Sequence, residues 1–271
     1  MRVKVITILL TVLVFLSVAT LGVSAVYRVN EVTVSVATVS DEANAEAESL
    51  RLRLSNAYAK QSIFFVTQEE ANSIVEEFPY FRITGFERAY PNRLIVKIAE
   101  DEEVYAVPCG EDGKYYILGA DGTILGIRED YWNRSDGAQT AKNVLITGLS
   151  VSGEKGGALA GDEILNPLLL FCQKAFEVLG GIRRNIATIE VQKLGSSSET
   201  ITLKLTTFEG VNIYVRNPSV MPVEKAEKAF NAYMALTDAQ RLTGRLAIWD
   251  TVDGVKSDYS ALDGFENIDE N

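Results

Sequence analysis

Apolar and polar positions alternate along Arg28 to Val36, which predicts a strand with Val32, Val34 and Val36 on one side. From Ser40 to Lys60 the spacing becomes helical, with Leu50, Leu54, Ala57 and Tyr58 forming a broken apolar stripe. A second, shorter helix is predicted after Thr67, whose side chain can cap it while Glu70, three residues on, reaches back to the Thr67 amide. Ala71, Ile74, Val75 and Phe78 make its stripe, and Pro79 stops it. Tyr80 to Arg88 reads as a strand, Pro91-Asn92 as a turn, and Arg93 to Ala99 as a strand with Leu94, Val96 and Ile98 on one face. The order is strand, helix, helix, strand, strand.

A different pattern precedes this one. Val5 to Val26 carries no charge, and as a helix it would span about 33 Å, enough to cross a bilayer. Arg2 and Lys4 stand before it and acids soon dominate after it, which predicts a cytoplasmic amino end and an exported remainder. Val23-Ser24-Ala25 also fits a signal cleavage site, but the apolar stretch exceeds the roughly 7–15 residues of a cleavable signal, so an anchor is expected.

Beyond the acidic run Glu100 to Glu103, read as a solvated strand end at a hinge, Tyr115 to Leu118 and Thr123 to Gly126 flank an Asp121-Gly122 turn and predict a hairpin. Val144 to Leu149 is a short strand. The Gly-rich stretch from Gly153 to Gly157 lacks the Gly-Lys-Ser/Thr ending of a phosphate loop and reads as a plain connection. Asn166 and Pro167 predict a helix start and Gly180-Gly181 its end, with Leu169, Cys172, Phe176 and Leu179 on the packed side. Strands are expected at Thr188 to Lys193, Thr200 to Thr207 and Val211 to Val215. A final helix opens at Pro222, with Lys225 and Lys228 on its solvated side. Arg245 to Asp250 is the last clear strand, with Val255 to Tyr259 a weaker one; from Ala261 on, an acidic disordered tail is expected.

Charge narrows the function. The 271 residues carry a net charge of −11, and without Arg2 and Lys4 the balance is 24 bases to 37 acids, a net −13. Nucleic acid is therefore not an expected partner. The chain has no histidine, which excludes Ser-His-Asp and Cys-His catalysis and the usual mixed zinc sites. Two distant cysteines, Cys109 and Cys172, read as partly buried thiols, with a pairing left open. Asn133-Arg134-Ser135 is a formal glycosylation acceptor. No carboxylate pair or Ser-Lys dyad stands in a recognisable signature, so the chain reads as non-enzymatic, without cofactor or metal.

The stretch FPYFRITGFERAYPNRLIVKIAEDEEVYAV, followed by YYILGADGTIL, resembles the FtsQ/DivIB family of bacterial division proteins. The carrying positions are Pro79, then Arg88, Pro91 and Leu94, then the acids from Glu100 to Glu103. The later segments VLITGLSVSGEKGGALAGDEILNPLLLFCQKAFEVL, PVEKAEKAFNAYMAL and GRLAIWD follow in the family's order, although the family's frequent glycine after the first strand is missing. The resemblance implies an α+β chain: residues 1–4 a cytoplasmic stub, 5–26 a transmembrane helix, 27–101 a POTRA domain, 102–260 a larger mixed antiparallel sheet domain with helices, and 261–271 the tail.

It further implies a scaffold of the septal divisome in the cell membrane, its bulk extracytoplasmic, linking FtsL-like and FtsB/DivIC-like partners. Such partners would add a strand to the carboxyl-terminal strand, here Arg245, Leu246, Ala247, Ile248, Trp249 and Asp250, with Tyr259 nearby. Trp249 has a second reading, as a plug of the core beneath the last sheet. Two other functions are weighed. A POTRA-type assembly chaperone would want several repeats or a barrel, and neither is in the sequence. A wall-acting secreted enzyme would need an unusual dyad.

Overall fold

The computed structural model describes residues 10–15, 17, 22, 26–110, 113–135, 141–193 and 201–262. The span expected from Val5 to Val26 lies for the most part outside these residues, although residues 10–15 are helical. No helix among the described residues is long and apolar enough to cross a membrane. Most of the expected acidic tail, from residue 263, also lies outside them. The chain divides between Asp101 and Glu102 into two compact units.

The first unit runs β1 (Glu31–Ala37), α1 (Asp41–Tyr58), α2 (Gln68–Val75), β2 (Phe81–Ala89) and β3 (Arg93–Glu100). Its sheet has the order β1-β3-β2, with β1 parallel and β2 antiparallel to β3. Register sets Val32, Val34 and Val36 opposite Leu94, Val96 and Ile98, so the two alternating stripes share one face. Helix α1 lays Ala43, Ala47, Leu50, Leu54 and Tyr58 against the unit's core at helical spacing. Ser40 caps it by accepting from the Ala43 amide at 3.1 Å, and the Glu100 carboxylate accepts from the amides of Val39 and Ser40.

At α2 the sequence reading holds only in part. Thr67 Oγ1 accepts from the Glu70 amide at 3.3 Å, but the Glu70 carboxylate takes a bond from Gln61 Nε2 (3.3 Å) in place of the Thr67 amide. The acidic run is likewise not merely solvated. Asp101 pairs with Arg82 at 3.2 Å, Glu102 with Arg183, and Glu103 with Arg128 at 2.8 Å.

The second unit holds β4 (Glu103–Pro108), β5 (Tyr115–Gly119), β6 (Ile124–Arg128), β7 (Val144–Thr147), β8 (Val151–Ser152), β9 (Ala160–Gly161) and α3 (Leu165–Leu179). It continues with β10 (Ile186–Lys193), β11 (Ile201–Thr207), β12 (Asn212–Arg216), α4 (Pro222–Ala235), α5 (Asp238–Arg241), β13 (Arg245–Thr251) and β14 (Gly254–Ser260). Among the described residues, nine strands form one mixed sheet, in the order β14-β13-β12-β11-β10-β7-β4-β5-β6. The parallel pairs β7·β10 and β12·β13 each need a crossover, and α3 and α4 supply them. One apolar cluster joins these helices to the sheet, with Phe171 and Phe230 in ring contact at 5.9 Å.

Several local expectations are corrected here. Helix α3 starts at Leu165 with no side-chain cap, so Asn166 lies within its first turn. Its buried side is Leu168, Phe171, Cys172 and Ala175, rotated from the expected stripe because α3 packs on α4 as well as on the sheet. Gly180 closes it in the left-handed conformation, as the sequence predicts. The Gly153 to Gly157 stretch is a hairpin tip between β8 and β9, with Gly156 and Gly157 bonded to Ile124 on β6. Cys109 and Cys172 are both free, and burial pushes the Cys172 thiol up to about 12. Asn133 is fully buried, donating to the Glu103 carbonyl and to Asn143, so no glycan can reach it. Glu103 is 0% exposed and also accepts from the Arg134 amide and Asn143.

Candidate partner-binding edge

The last hairpin turns through Val252-Asp253, with Thr251 Oγ1 donating to the Gly254 carbonyl (2.9 Å) and accepting from the Asp253 amide (3.3 Å). Gly254 sits at φ 110°, a conformation suited to a residue without Cβ. Strands β13 and β14 pair in order from Thr251↔Gly254 to Arg245↔Ser260.

This pairing overturns the expectation that Arg245 to Asp250 offers an edge. Strand β13 is bonded on one side to β12, in parallel register Asn212↔Arg245 to Val215↔Ile248, and on the other to β14. From Arg245 to Ile248 it is paired on both sides, and from Trp249 to Thr251 it is paired with β14. The reason was present in the sequence: Leu246, Ala247 and Ile248 are consecutive apolar residues, all buried, which marks a strand covered on both faces. The terminal strand is β14, whose sequence GVKSDYS alternates and carries Lys256 and Asp258, a composition typical of edges.

The bonding direction along β14 follows from one contact. The Asn212 amide donates to the Gly244 carbonyl at 3.0 Å, so even-numbered residues of β13 address β12 and odd-numbered ones address β14. Their partners Gly254, Lys256, Asp258 and Ser260 therefore direct their backbone groups inward. Val255, Ser257 and Tyr259 direct theirs away from the sheet. The opposite end of the sheet is different, because Ile124 of β6 donates to Gly157 (2.9 Å) and accepts from Gly156 (2.8 Å).

Side chains divide by face. Val255 and Tyr259 pack against the core cluster beside α4, and the Tyr259 hydroxyl donates to the Thr243 carbonyl at 3.1 Å. Tyr259 is thus tied into its own unit and is not a free anchor. Trp249 lies outside that cluster, half-buried on the other face, cross-strand from the exposed Lys256. It neither plugs the helix-covered core nor stands clear of the sheet. Arg245 is half-buried, while Ala247 is buried and opposes the exposed Asp258.

The unanticipated residue is Lys225. It is fully buried, and its ammonium donates to the carbonyls of Arg216 (2.9 Å) and Asn217 (2.8 Å) and to the Asp250 carboxylate. One side chain on α4 thereby ties the end of β12 to the end of β13. Burial lowers the Lys225 pKa, opposed by Asp250, while the bond from Lys225 holds the Asp250 carboxyl below its ordinary value. Its charge at a helical position hid this role, because a lysine reads as solvated when only spacing is available.

Among the described residues, no three His, Cys, Asp or Glu side chains gather in a group that could hold a metal ion. What the arrangement offers chemically is a row of outward backbone donors and acceptors flanked by one cation and one anion. No model of a known protein family matches the chain, and no curated protein matches it.

Proposed function

We propose that the chain is a non-enzymatic divisome scaffold of the FtsQ/DivIB type, anchored in the cell membrane through Val5 to Val26, with both units outside the cytoplasm. On this reading the first unit is a POTRA module, and the nine-stranded unit receives FtsL-like and FtsB/DivIC-like partners. Binding is by strand addition, now at β14 and not at Arg245 to Asp250. The observation that carries the reading is the terminal position of β14, with the backbone groups of Val255, Ser257 and Tyr259 turned outward. Lys256 and Asp258 supply charge for register.

The experiment is co-purification of the full chain with the two partners from membranes, comparing the wild type with Ser257→Pro. The Ser257 amide faces away from β13, so proline there leaves the chain's own ladder intact and removes one donor from the incoming strand. Loss of the complex with unchanged folding supports the reading; full retention of the complex removes it.

A further inference from the structure

Three segments far apart in sequence converge at one end of the three-stranded unit. The Val29 amide donates to the Gln61 carbonyl (2.8 Å), the Ile63 amide to Tyr27 (2.9 Å), and the Asn30 amide to Asn92 (2.9 Å). These bonds bring Tyr27, Phe64 and Tyr90 into one row, with ring centroids 4.9 Å and 5.7 Å apart. Phe64, Phe65 and Tyr90 nevertheless expose 52%, 79% and 57% of their surface. The display is held from behind. Arg88 donates twice to the Val66 carbonyl (3.1 and 2.6 Å), and the Tyr58 hydroxyl donates to Thr67 at 2.8 Å. Fixed exposure of contiguous aromatic rings marks a surface that meets something apolar.

Charge identifies what it meets. Residues 26–30, 59–66 and 89–93 carry Arg28, Lys60 and Arg93 and no acid, in a chain with 37 acids to 26 bases. Arg93 is paired with Glu31 at 2.8 Å, whereas Arg28 and Lys60 are exposed. Amphipathic rings beside basic residues are the composition of a segment at a bilayer interface, where rings lie among headgroups and cations meet phosphates. Position agrees with composition, because the uncharged run ends at Val26, one residue before Tyr27.

We propose that this aromatic and basic tip is a second membrane contact, seating Phe64, Phe65 and Tyr90 in the headgroup layer of an anionic bilayer. Arg28 and Lys60 lie against its phosphates. The proposal rests on the reading that Val5 to Val26 spans the membrane. It also fixes which end of the unit lies deepest. Strand β1 leads away from the tip, and its 7 residues carry the chain about 23 Å, so the exposed Val39 stands well clear of the lipid.

The full chain is reconstituted into vesicles of phosphatidylethanolamine and phosphatidylglycerol with brominated acyl chains, which quench nearby tryptophan. In a Trp132→Phe, Trp249→Phe background, Phe65→Trp should lose roughly half its emission relative to ordinary lipid, and Val39→Trp almost none. If that background fails to fold, the native tryptophans are kept and the wild-type signal is subtracted. Adding Arg28→Glu and Lys60→Glu should weaken quenching at position 65. Equal emission at position 65 in both lipids, with the chain still in the vesicle fraction, overturns the tip contact and leaves the anchor standing. A chain that never enters the vesicle fraction overturns both. Shielding at position 65 that grows with protein density, without bromine quenching, assigns the tip to a protein partner and also overturns the proposal.

Discussion

A lysine at a helical position is ordinarily the cheapest group to leave in water, and Lys225 is instead caged by two carbonyls and a carboxylate. Its stem and ammonium replace water at the ends of β12 and β13, where carbonyls would otherwise be buried without donors. Lys225→Met keeps the volume and removes the donors. It should lower unfolding stability by about 2–4 kcal/mol in urea titrations, because charge-assisted bonds to buried acceptors are lost. Asp250 gives a pH signature. Its pKa is depressed in the folded state by Lys225, so its contribution is present above the unfolded value of about 3.9 and is lost as pH falls through the lower folded value. The difference in urea midpoint between wild type and Asp250→Asn should therefore be widest above about pH 5 and close as the solution is acidified.

At the scale of elements, the decisive matter is which backbone groups a strand has left over. Lys256 directs its amide to Trp249 and Ser257 directs its amide outward, although the two are adjacent and both lie on β14. Lys256→Pro should cost roughly 1–3 kcal/mol of stability by breaking a ladder bond, while Ser257→Pro should be close to neutral. The opposite pattern, a costly Ser257→Pro and a neutral Lys256→Pro, would mean that the bonding direction along β14 is reversed. Much of this level was legible beforehand. The alternating valines of β1, the Thr67 cap, the Asp121-Gly122 hairpin and the glycine end of α3 follow from local chemistry. The missed elements had weak local signals. Helix α5 is 4 residues long, and the β8–β9 hairpin has 2 residues per strand.

For the whole molecule, two separate cores mean two sources of stability. Leu50 lies in the core of the first unit and Leu205 in that of the second. Leu50→Ala should cost about 2–5 kcal/mol and speed amide hydrogen exchange in α1, β1 and β3, leaving protection in β10 to β13 unchanged. Spread of the effect into the nine-stranded sheet would show that the units unfold as one. The same scale explains why the candidate edge was misplaced. Strand order in the large sheet is not chain order, since β7 is bonded to β4 and β10, and β13 to β12 and β14.

Periodicity, caps and turn residues act over a few positions, so the sequence by itself determined most of the longer helices and strands and the buried stripes of β1 and β3. The lack of histidine and the excess of acid likewise needed no coordinates. Which strand is left at the rim, where Lys225 finds its acceptors, and that Tyr27, Phe64 and Tyr90 meet at one tip depend on residues tens of positions apart. Those choices are settled by pairing and packing across the folded chain, and only the tertiary structure decided them.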